Sequence, residues 1–270
     1  MTDALAAWLG MYDYAWTAKA NDALWAALAA RLRGAGIDAP PELTRGADPH
    51  QIWRDPRLIF GQTCGYPYVT GLSRLTAIVA TPRYAFDGCE GAFHRSFVVA
   101  RKHDARRELA DFAGARAALN GRDSNSGMNL FRAMIAPLAQ KKPFFSQMLV
   151  TGSHMASLVA LREGAADLAA IDCVTYGLLR QGRPELTEAT EIIARTPLTP
   201  ALPFIMSAEL AKLHLGVVRE AFFATLEDPA LETARSTLGL AGAEVLDATD
   251  YDRVAQIERD AIALGYPELA

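Results

Sequence analysis

The chain has 270 residues, of which 51% are apolar and 21% are charged, and its formal net charge at pH 7 is −4. This length exceeds one typical domain and predicts two lobes, and the composition is that of a soluble globular α/β protein. The negative charge argues against a general nucleic-acid or anionic-membrane binder, since both need a positively charged surface.

Short apolar runs alternate with helical patterns along the chain. The runs predict strands at residues 8–12, 58–63, 75–80, 96–101, 115–120, 147–151, 168–171, 191–195 and 203–206. Helical periodicity predicts helices at 20–33, 127–136, 154–163, 174–180, 208–225 and 252–264. Strands that alternate with helices are typical of parallel βαβ units, so we expect mostly parallel sheets flanked by helices.

The first residues of the chain indicate the cellular compartment in which the protein is expected. It has no basic region before its apolar run and carries acids at Asp3 and Asp13, which is not typical of a secretion signal. No segment approaches the roughly 20 apolar residues that span a bilayer. As written, the sequence therefore predicts a cytoplasmic protein, and a periplasmic one if the N-terminus is truncated or misassigned.

The cysteines indicate neither a disulfide scaffold nor a zinc site. Cys64, Cys89 and Cys173 are an odd number and lack C-x-x-C spacing. A single Cys64–Cys89 bridge stays open at this level. No pair of histidines has metal-binding spacing and no nucleotide-binding glycine motif is present, so we expect no metal and no cofactor.

Three consecutive predicted strands in the middle of the chain end in polar turns. After them come Ser124, Asn125, Ser126 and Gly127, then Thr151, Ser153 and His154, then Asp172 and Thr175. The strand ends of the first lobe offer a matching set of Tyr12, Thr63 and Tyr66. Because the carboxyl ends of neighbouring parallel strands meet at one edge of a sheet, where ligands usually bind, we expect the three turns to face one site.

The turn Ser124-Asn125-Ser126-Gly127 suits an anion. A helix start carries unpaired N–H groups and a partial positive charge, Gly127 lets the backbone approach a ligand, and the serines add hydroxyl donors. This set fits a tetrahedral oxyanion such as phosphate or phosphonate. The alternative is an ordinary N-cap at Ser124 or Ser126, worth about 1 kcal/mol.

His154 and Asp172 have two interpretations each. His154 is either a donor or acid–base group near the anion or a surface residue at a helix start. Asp172 either accepts from a ligand or caps the next helix. Ser126, His154 and Asp172 are also the residue types of a hydrolase triad, but no G-x-S-x-G elbow surrounds the serine.

An ordered set of segments carries a family resemblance. The segments are "GQTCGYPYVTG" (61–71), "DSNSGMNLFR" (123–132), "LVTGSHMASLVALREGAADLAAIDCVTY" (149–176) and "TPLTPALPFI" (196–205). Together they resemble the phosphate/phosphite/phosphonate substrate-binding proteins of ABC transporters, the phosphonate-binding-protein-like branch of the type 2 periplasmic binding proteins. The resemblance covers roughly residues 8–210.

The resemblance implies a fold and a set of roles. The fold has two α/β lobes, residues 1–93 with 201–270 and residues 94–200, joined by two crossover strands near 94–101 and 192–202. The implied roles place Ser124, Asn125 and Ser126 on the phosphonate oxygens, His154 as a further donor, Asp172 at the amino end of the ligand, and Tyr12 and Tyr66 as aromatic contacts.

The implied function is a solute-binding protein rather than an enzyme. It would capture a phosphonate, phosphite or phosphate in the cleft between two lobes by hinge closure, for an ABC-type uptake system whose permease is the implied partner. We expect no nucleic-acid partner and no membrane insertion. The alternative is a cytoplasmic enzyme or ligand sensor on the same fold, acting on a small anionic metabolite.

Overall fold

The structure is a computed structural model that describes residues 4–140 and 142–270. Within it the chain forms two compact units. The first unit comprises residues up to 85 together with 200–250, and the second comprises 86–199 together with 251–270. None of the helices within the described residues has the length and apolar character that a membrane span requires.

Both units contain strands and helices. The strands are β1 Ala6–Trp8, β2 Leu58–Gln62, β3 Thr76–Tyr84, β4 Phe93–His94, β5 Ser96–Arg101, β6 Arg116–Leu119, β7 Gln147–Val150, β8 Leu168–Asp172, β9 Thr190–Arg195, β10 Thr199–Pro200, β11 Phe204–Ser207 and β12 Leu240–Glu244. The helices are α1 Ala18–Gly34, α2 Pro49–Ile52, α3 Gly65–Pro67, α4 Leu130–Ile135, α5 His154–Arg162, α6 Cys173–Gly182, α7 Pro184–Thr187, α8 Ala208–Glu227, α9 Glu232–Leu238 and α10 Asp252–Ala263.

The sheet of the first unit has the strand order β1-β2-β11-β3-β12. β1 and β2 are parallel, whereas β11 is antiparallel to both β2 and β3. Its core includes the stacked rings of Phe60 and Phe204, whose centroids are 5.1 Å apart, and Phe222 from α8 packs against both. Aromatic pairs of this kind add to the burial energy of the core.

The sheet of the second unit has the strand order β7-β6-β8-β5-β9. β6 is parallel to both β7 and β8, while β5 is antiparallel to β8 and β9. All residues of β8 are buried, as expected for a strand that is covered on both faces. The three strands that precede the polar turns are therefore neighbours and run in one direction, so their carboxyl ends meet at one edge.

The α/β fold class is confirmed, but the sheets are mixed rather than mostly parallel, because β11, β12 and β5 run antiparallel to their neighbours. Two of the local differences from the prediction lie around Gly10 and in β12. The predicted strand at 8–12 is wrong because the chain folds back after Trp8 into a 3-10 turn, Gly10–Tyr12. A Cβ on Gly10 would lie 2.3 Å from the Trp8 ring, so glycine permits this reversal. β12 was missed because its sequence, Leu-Ala-Gly-Ala-Glu, has little of the alternation or β-branching that marks a strand.

Residues 251–270 belong to the second unit, whereas the sequence analysis assigned them to the first lobe. Their contacts give the reason. Asn129 Nδ2 donates to the Val254 carbonyl at 3.0 Å, and the Phe144 N–H donates to the Ala270 carbonyl at 2.7 Å. These bonds join residues more than 100 positions apart, which no local pattern reports.

Candidate functional site

The serine turn, residues 124–127, begins the helix that follows β6. Ser124 is the N-cap, because its Oγ accepts a hydrogen bond from the Gly127 N–H at 3.0 Å. The first turn of the helix is a wide π turn, Asn125–Asn129, that runs directly into α4. The capping interpretation thus applies to Ser124, and the hydroxyl of Ser126 is available for another role.

Gly127 lies directly against the Asn120 side chain. A Cβ on Gly127 would be 1.8 Å from Asn120 Oδ1 and 3.1 Å from His154 Cε1, so a larger residue would displace both neighbours. Asn120 Oδ1 is buried and has no hydrogen-bond partner among the described residues. Amide oxygen and nitrogen are assigned from the surrounding hydrogen bonds, so this position admits the amide NH₂ as a donor beside the serine turn equally well.

The hydroxyl of Ser126 connects two of the predicted turns. Ser126 Oγ lies 2.9 Å from His154 Nε2, and it is 3.4 Å from Ser124 Oγ. On the opposite side, Ser96 Oγ donates to the Ser126 carbonyl at 2.9 Å. Ser126 is buried, so these contacts hold its hydroxyl in a defined position with little solvent around it.

His154 is the first residue of α5 and is neutral at pH 7. Burial lowers the pKa of the imidazole to about 4, while Asp172 and the Ala170 carbonyl raise the pKa by smaller amounts and His94 lowers it. The Nδ1 atom is buried without a hydrogen bond of ordinary geometry among the described residues. A neutral imidazole both donates and accepts, so His154 can donate to an anion while keeping the Ser126 contact.

The depressed pKa of His154 predicts a loss of stability in acid. The unfolded chain takes up a proton near pH 6.5 and the folded chain only near pH 4, so the stabilisation is complete above pH 6.5 and is lost as the pH falls toward 4. We expect the free energy of unfolding to fall by about 2 kcal/mol over this window. Urea denaturation of the wild type and of His154→Gln measures it, and the variant should lack most of this decrease.

The matched control for this titration is His50→Gln, since His50 is an exposed histidine of the first unit. This variant tests whether the decrease belongs to position 154 rather than to the loss of any histidine. An equal slope in wild type and His154→Gln would contradict the assignment of the acid loss to His154.

Asp172 is the last residue of β8, and its carboxylate bonds both to the start of α6 and to the side chain of His94. Its Oδ2 accepts from the Thr175 N–H at 2.9 Å and from Thr175 Oγ1 at 3.0 Å, which caps α6. Its Oδ1 accepts from His94 Nδ1 at 2.9 Å and more weakly from the Val174 N–H at 3.4 Å. Burial raises the pKa of Asp172, but the hydrogen bond and charge interaction of His94, with His154 and Thr175, outweigh burial and lower the pKa overall. The carboxylate is therefore ionised at neutral pH.

His94 and Ser96 are site residues that the sequence analysis missed. β5 runs antiparallel to β8 with Ser96 opposite Asp172, so the beginning of β5 lies beside the carboxyl end of β8. His94 is 1% exposed, and its Nε2 has no hydrogen-bond partner within residues 4–140 and 142–270. In a parallel sheet only the carboxyl ends of strands meet at this edge, so the sequence pattern does not point to the start of an antiparallel strand. The order and direction of the strands place His94 and Ser96 there.

Asn125 and Ser153 have local roles in the second unit. Asn125 Nδ2 donates to Thr199 Oγ1 at 3.0 Å, and Asn125 Oδ1 accepts from Asn129 Nδ2 at 3.1 Å, so the amide fixes the serine turn. Ser153 is exposed and caps α5 by accepting from the Ala156 N–H at 3.1 Å.

The three predicted residues of the first unit occupy different settings. Tyr12 is buried, packs edge-on against Tyr84 at 5.6 Å between ring centroids, and lines an internal cavity of ≈ 20 Å³. Thr63 is fully buried after β2, and Tyr66 is half-buried in α3. Tyr12 thus forms part of the edge of its own core, and Tyr66 is the most accessible of the three.

The Ser126–His154 contact is the one that begins a hydrolase triad, but Asp172 does not complete it. Asp172 bonds to His94 and to the start of α6, and the lowered pKa of His154 makes it a weak base. His94, Asp172 and Cys173 also place one potential metal ligand each within 4.8 Å of one another. Hydrogen bonds from His94, the Val174 N–H and Thr175 to Asp172 hold this cluster together.

One protein-family model matches most of this chain. The model for the periplasmic substrate-binding protein of phosphonate ABC transporters matches residues 50–251, about three-quarters of the chain. A search of curated proteins found no match.

Several solved structures share the fold. A binding-protein component of an ABC phosphonate transporter from Pseudomonas aeruginosa has a TM-score of 0.77 and 15% identity, covering 97% of this chain and 87% of that one. PhnD1 from Prochlorococcus marinus, solved in complex with methylphosphonate, has a TM-score of 0.75 and 14% identity, covering 95% and 97%. XAC2383 from Xanthomonas citri, solved with ATP, has a TM-score of 0.73 and 16% identity, covering 97% and 98%. At these identities the likeness shows the fold alone.

Proposed function

This chain belongs to the family of periplasmic substrate-binding proteins of phosphonate ABC transporters, and from that membership we propose that it binds a phosphonate through the serine turn and His154. One observation carries the proposal. The buried hydroxyl of Ser126 lies 2.9 Å from a neutral imidazole at the start of a second helix. Two helix starts and their hydroxyl donors thus meet at one point, which favours a tetrahedral oxyanion.

The donors in this proposal are neutral. The Ser124 hydroxyl and the Asn120 amide would each point a hydrogen toward a phosphonate oxygen. Ser126 and His154 share one hydrogen in their own contact, so one of these two would supply a third donor to the ligand. Hydrogen bonds from neutral donors to a charged acceptor are stronger than neutral pairs, and their strength rises when water is excluded. A site of this kind binds an anion without a lysine or arginine in direct contact.

Asp172 has a positioning role in the proposal. Its oxygens already accept from His94, from Thr175 and from the Val174 N–H, so direct contact with a ligand would require one of these bonds to break. The carboxylate instead orients His94, whose Nε2 becomes the group that meets the ligand. The negative charge of Asp172 at this end favours a ligand that carries an amino group away from its phosphonate.

Members of the family are solute-binding components of transporters and not enzymes, so the enzyme alternative is not favoured. We propose that the partner of this chain is an ABC permease, which would receive the ligand. The family is periplasmic. Cell fractionation of the natural gene product decides whether this protein is exported or acts in the cytoplasm, and cytoplasmic recovery would redirect the proposal from uptake to sensing.

Isothermal titration calorimetry with small anions tests the ligand class. The panel is methylphosphonate, 2-aminoethylphosphonate, phosphite and phosphate, with methanesulfonate as the control of matched shape and lower charge. We expect at least one phosphorus oxyanion to bind at least tenfold more tightly than methanesulfonate. Equal binding of methanesulfonate would reduce the site to a general oxyanion site, and a flat titration for the whole panel would end the proposal.

A further inference from the structure

Two cysteines of the second unit lie side by side. Cys89 Sγ and Cys173 Sγ are 3.5 Å apart although 84 positions separate them in the sequence. Cys173 is fully buried at the start of α6, and Cys89 is partly exposed. The remaining cysteine, Cys64, is buried in the first unit, and none of the three cysteines forms a disulfide. The pairing left open by the sequence, Cys64 with Cys89, is therefore replaced by a contact between Cys89 and Cys173.

The Cys89 loop, residues 86–92, packs against α6 through residues that precede the thiol. The Phe86 ring covers Gly177 so closely that a Cβ there would lie 2.4 Å from the ring. Gly88 has a φ of +89°, and a Cβ on it would lie 2.8 Å from the Cys173 Cβ. Glycine is required at both positions, because a side chain would push the loop off the helix.

An ion pair adds a third attachment. Asp87 makes two hydrogen bonds with the Arg195 guanidinium, at 3.0 and 2.7 Å. The pair is exposed, so its energy is small, but its two parallel bonds define an orientation for the loop. The contact between the two thiols is thus a consequence of how the loop is held.

We propose that Cys89 and Cys173 form a reversible disulfide. A disulfide has an S–S length near 2.0 Å, so the two sulfurs must approach by about 1.5 Å, a distance that side-chain rotation and a small loop shift supply. The periplasm, the compartment of the family, is an oxidising environment in which such bonds persist. The proposal needs no ligand and stands apart from the phosphonate assignment.

The reaction requires an external disulfide as oxidant, for example glutathione disulfide. The Cys89 thiolate, which solvent reaches, attacks one sulfur of the oxidant and forms a mixed disulfide as the first glutathione thiolate leaves. The Cys173 thiolate then attacks the Cys89 sulfur and releases the second glutathione. Two thiol protons are lost from the protein, and the oxidant gains two electrons as it becomes two thiols.

The order of the two steps follows from the surroundings of each thiol. The hydrogen bond with Cys89 is the largest influence on Cys173 and, with burial, raises the pKa of the Cys173 thiol. Once Cys89 is part of a mixed disulfide its sulfur carries no negative charge, so its hydrogen bond and charge interaction with Cys173 disfavour the Cys173 thiolate less when Cys173 has to react. Cys89 is therefore the attacking cysteine and Cys173 the resolving one.

The test compares thiol states of the intact protein at equilibrium. The protein is fully reduced, dialysed into glutathione buffers from reduced to oxidised, quenched with N-ethylmaleimide in denaturant so that buried thiols react, and analysed by mass spectrometry. We expect the oxidised sample to lose two alkylation sites, to yield a crosslinked peptide pair containing Cys89 and Cys173, and to recover both sites with dithiothreitol. Because the bond closes a long loop, the Tm should rise by about 5–10 °C.

Two variants keep the test specific. Cys89→Ser changes a partly exposed residue and should abolish both the crosslink and the rise in Tm, whereas Cys64→Ser should leave both intact. The proposal is overturned if both Cys89 and Cys173 remain alkylatable in oxidised glutathione, if Cys89 stops at a stable glutathione adduct, or if the crosslink involves Cys64.

Discussion

Ser126→Ala is expected to weaken phosphonate binding by roughly 5- to 150-fold, equivalent to about 1–3 kcal/mol. The substitution removes the hydroxyl that lies 2.9 Å from His154 Nε2 and leaves the backbone of the turn in place. The charged phosphonate oxygen loses a hydrogen-bond donor, and because position 126 is buried, no water molecule replaces the lost hydroxyl. Calorimetric titration of wild type and variant with the best-binding phosphonate measures the change.

The structure separates this effect from a loss of stability. Ser124, not Ser126, caps the helix, so Ser126→Ala keeps the cap, and its cost in stability is the roughly 1–3 kcal/mol of leaving the buried His154 Nε2 without its partner. The matched control is Ser207→Ala, which removes a capping hydroxyl at the start of α8 in the first unit. That variant should lose stability and keep its affinity. Unchanged affinity in Ser126→Ala would return the serine turn to a purely structural role.

Asp172→Ala is expected to lower the free energy of unfolding by roughly 3–5 kcal/mol. Asp172 is 2% exposed and accepts hydrogen bonds from His94, from the Val174 N–H and from the N–H and hydroxyl of Thr175. Alanine leaves these donors buried without an acceptor and also removes the cap of α6. Urea denaturation at pH 7 gives the difference.

A matched capping variant separates the buried network from capping alone. Asp48 caps α2 from an exposed position by accepting from the Gln51 N–H at 3.0 Å, so Asp48→Ala should lower stability by only about 1 kcal/mol. Asp172→Asn keeps an oxygen for the cap but loses the charge beside His94, and should fall between the two. If Asp172→Ala matched Asp48→Ala, the His94 contact would contribute nothing beyond the cap.

Much of the second unit follows from local sequence patterns. The runs predicted at 96–101, 147–151, 168–171 and 191–195 overlap β5, β7, β8 and β9, and the helix predicted from 154 begins there. Apolar runs of this length and helix-starting serines encode their own conformation, because burial on two faces and capping are properties of neighbouring residues. The same patterns located the serine turn and His154 at strand ends.

The sequence patterns predicted two segments of the first unit less well, one around Gly10 and the other β12. The apolar run at residues 8–12 alone predicts a strand. Because Gly10 has no Cβ, the chain instead folds back beside the Trp8 ring into a 3-10 turn. The small residues of β12 form a strand because they pair with β3, although their own composition does not indicate a strand. In β12 a tertiary neighbour, rather than local propensity, selected the conformation, whereas at Gly10 the deciding contact is with Trp8, two residues away in the chain.

The sequence by itself determined the fold class, the family resemblance and the positions of Ser126, His154 and Asp172 at the ends of strands. The tertiary structure alone decided that β5 runs against β8, which brings His94 to Asp172, and that the Cys89 loop meets α6. The physical reason is range. Periodicity and capping act over a few residues, whereas these contacts join groups 78 and 84 positions apart and depend on strand order and direction.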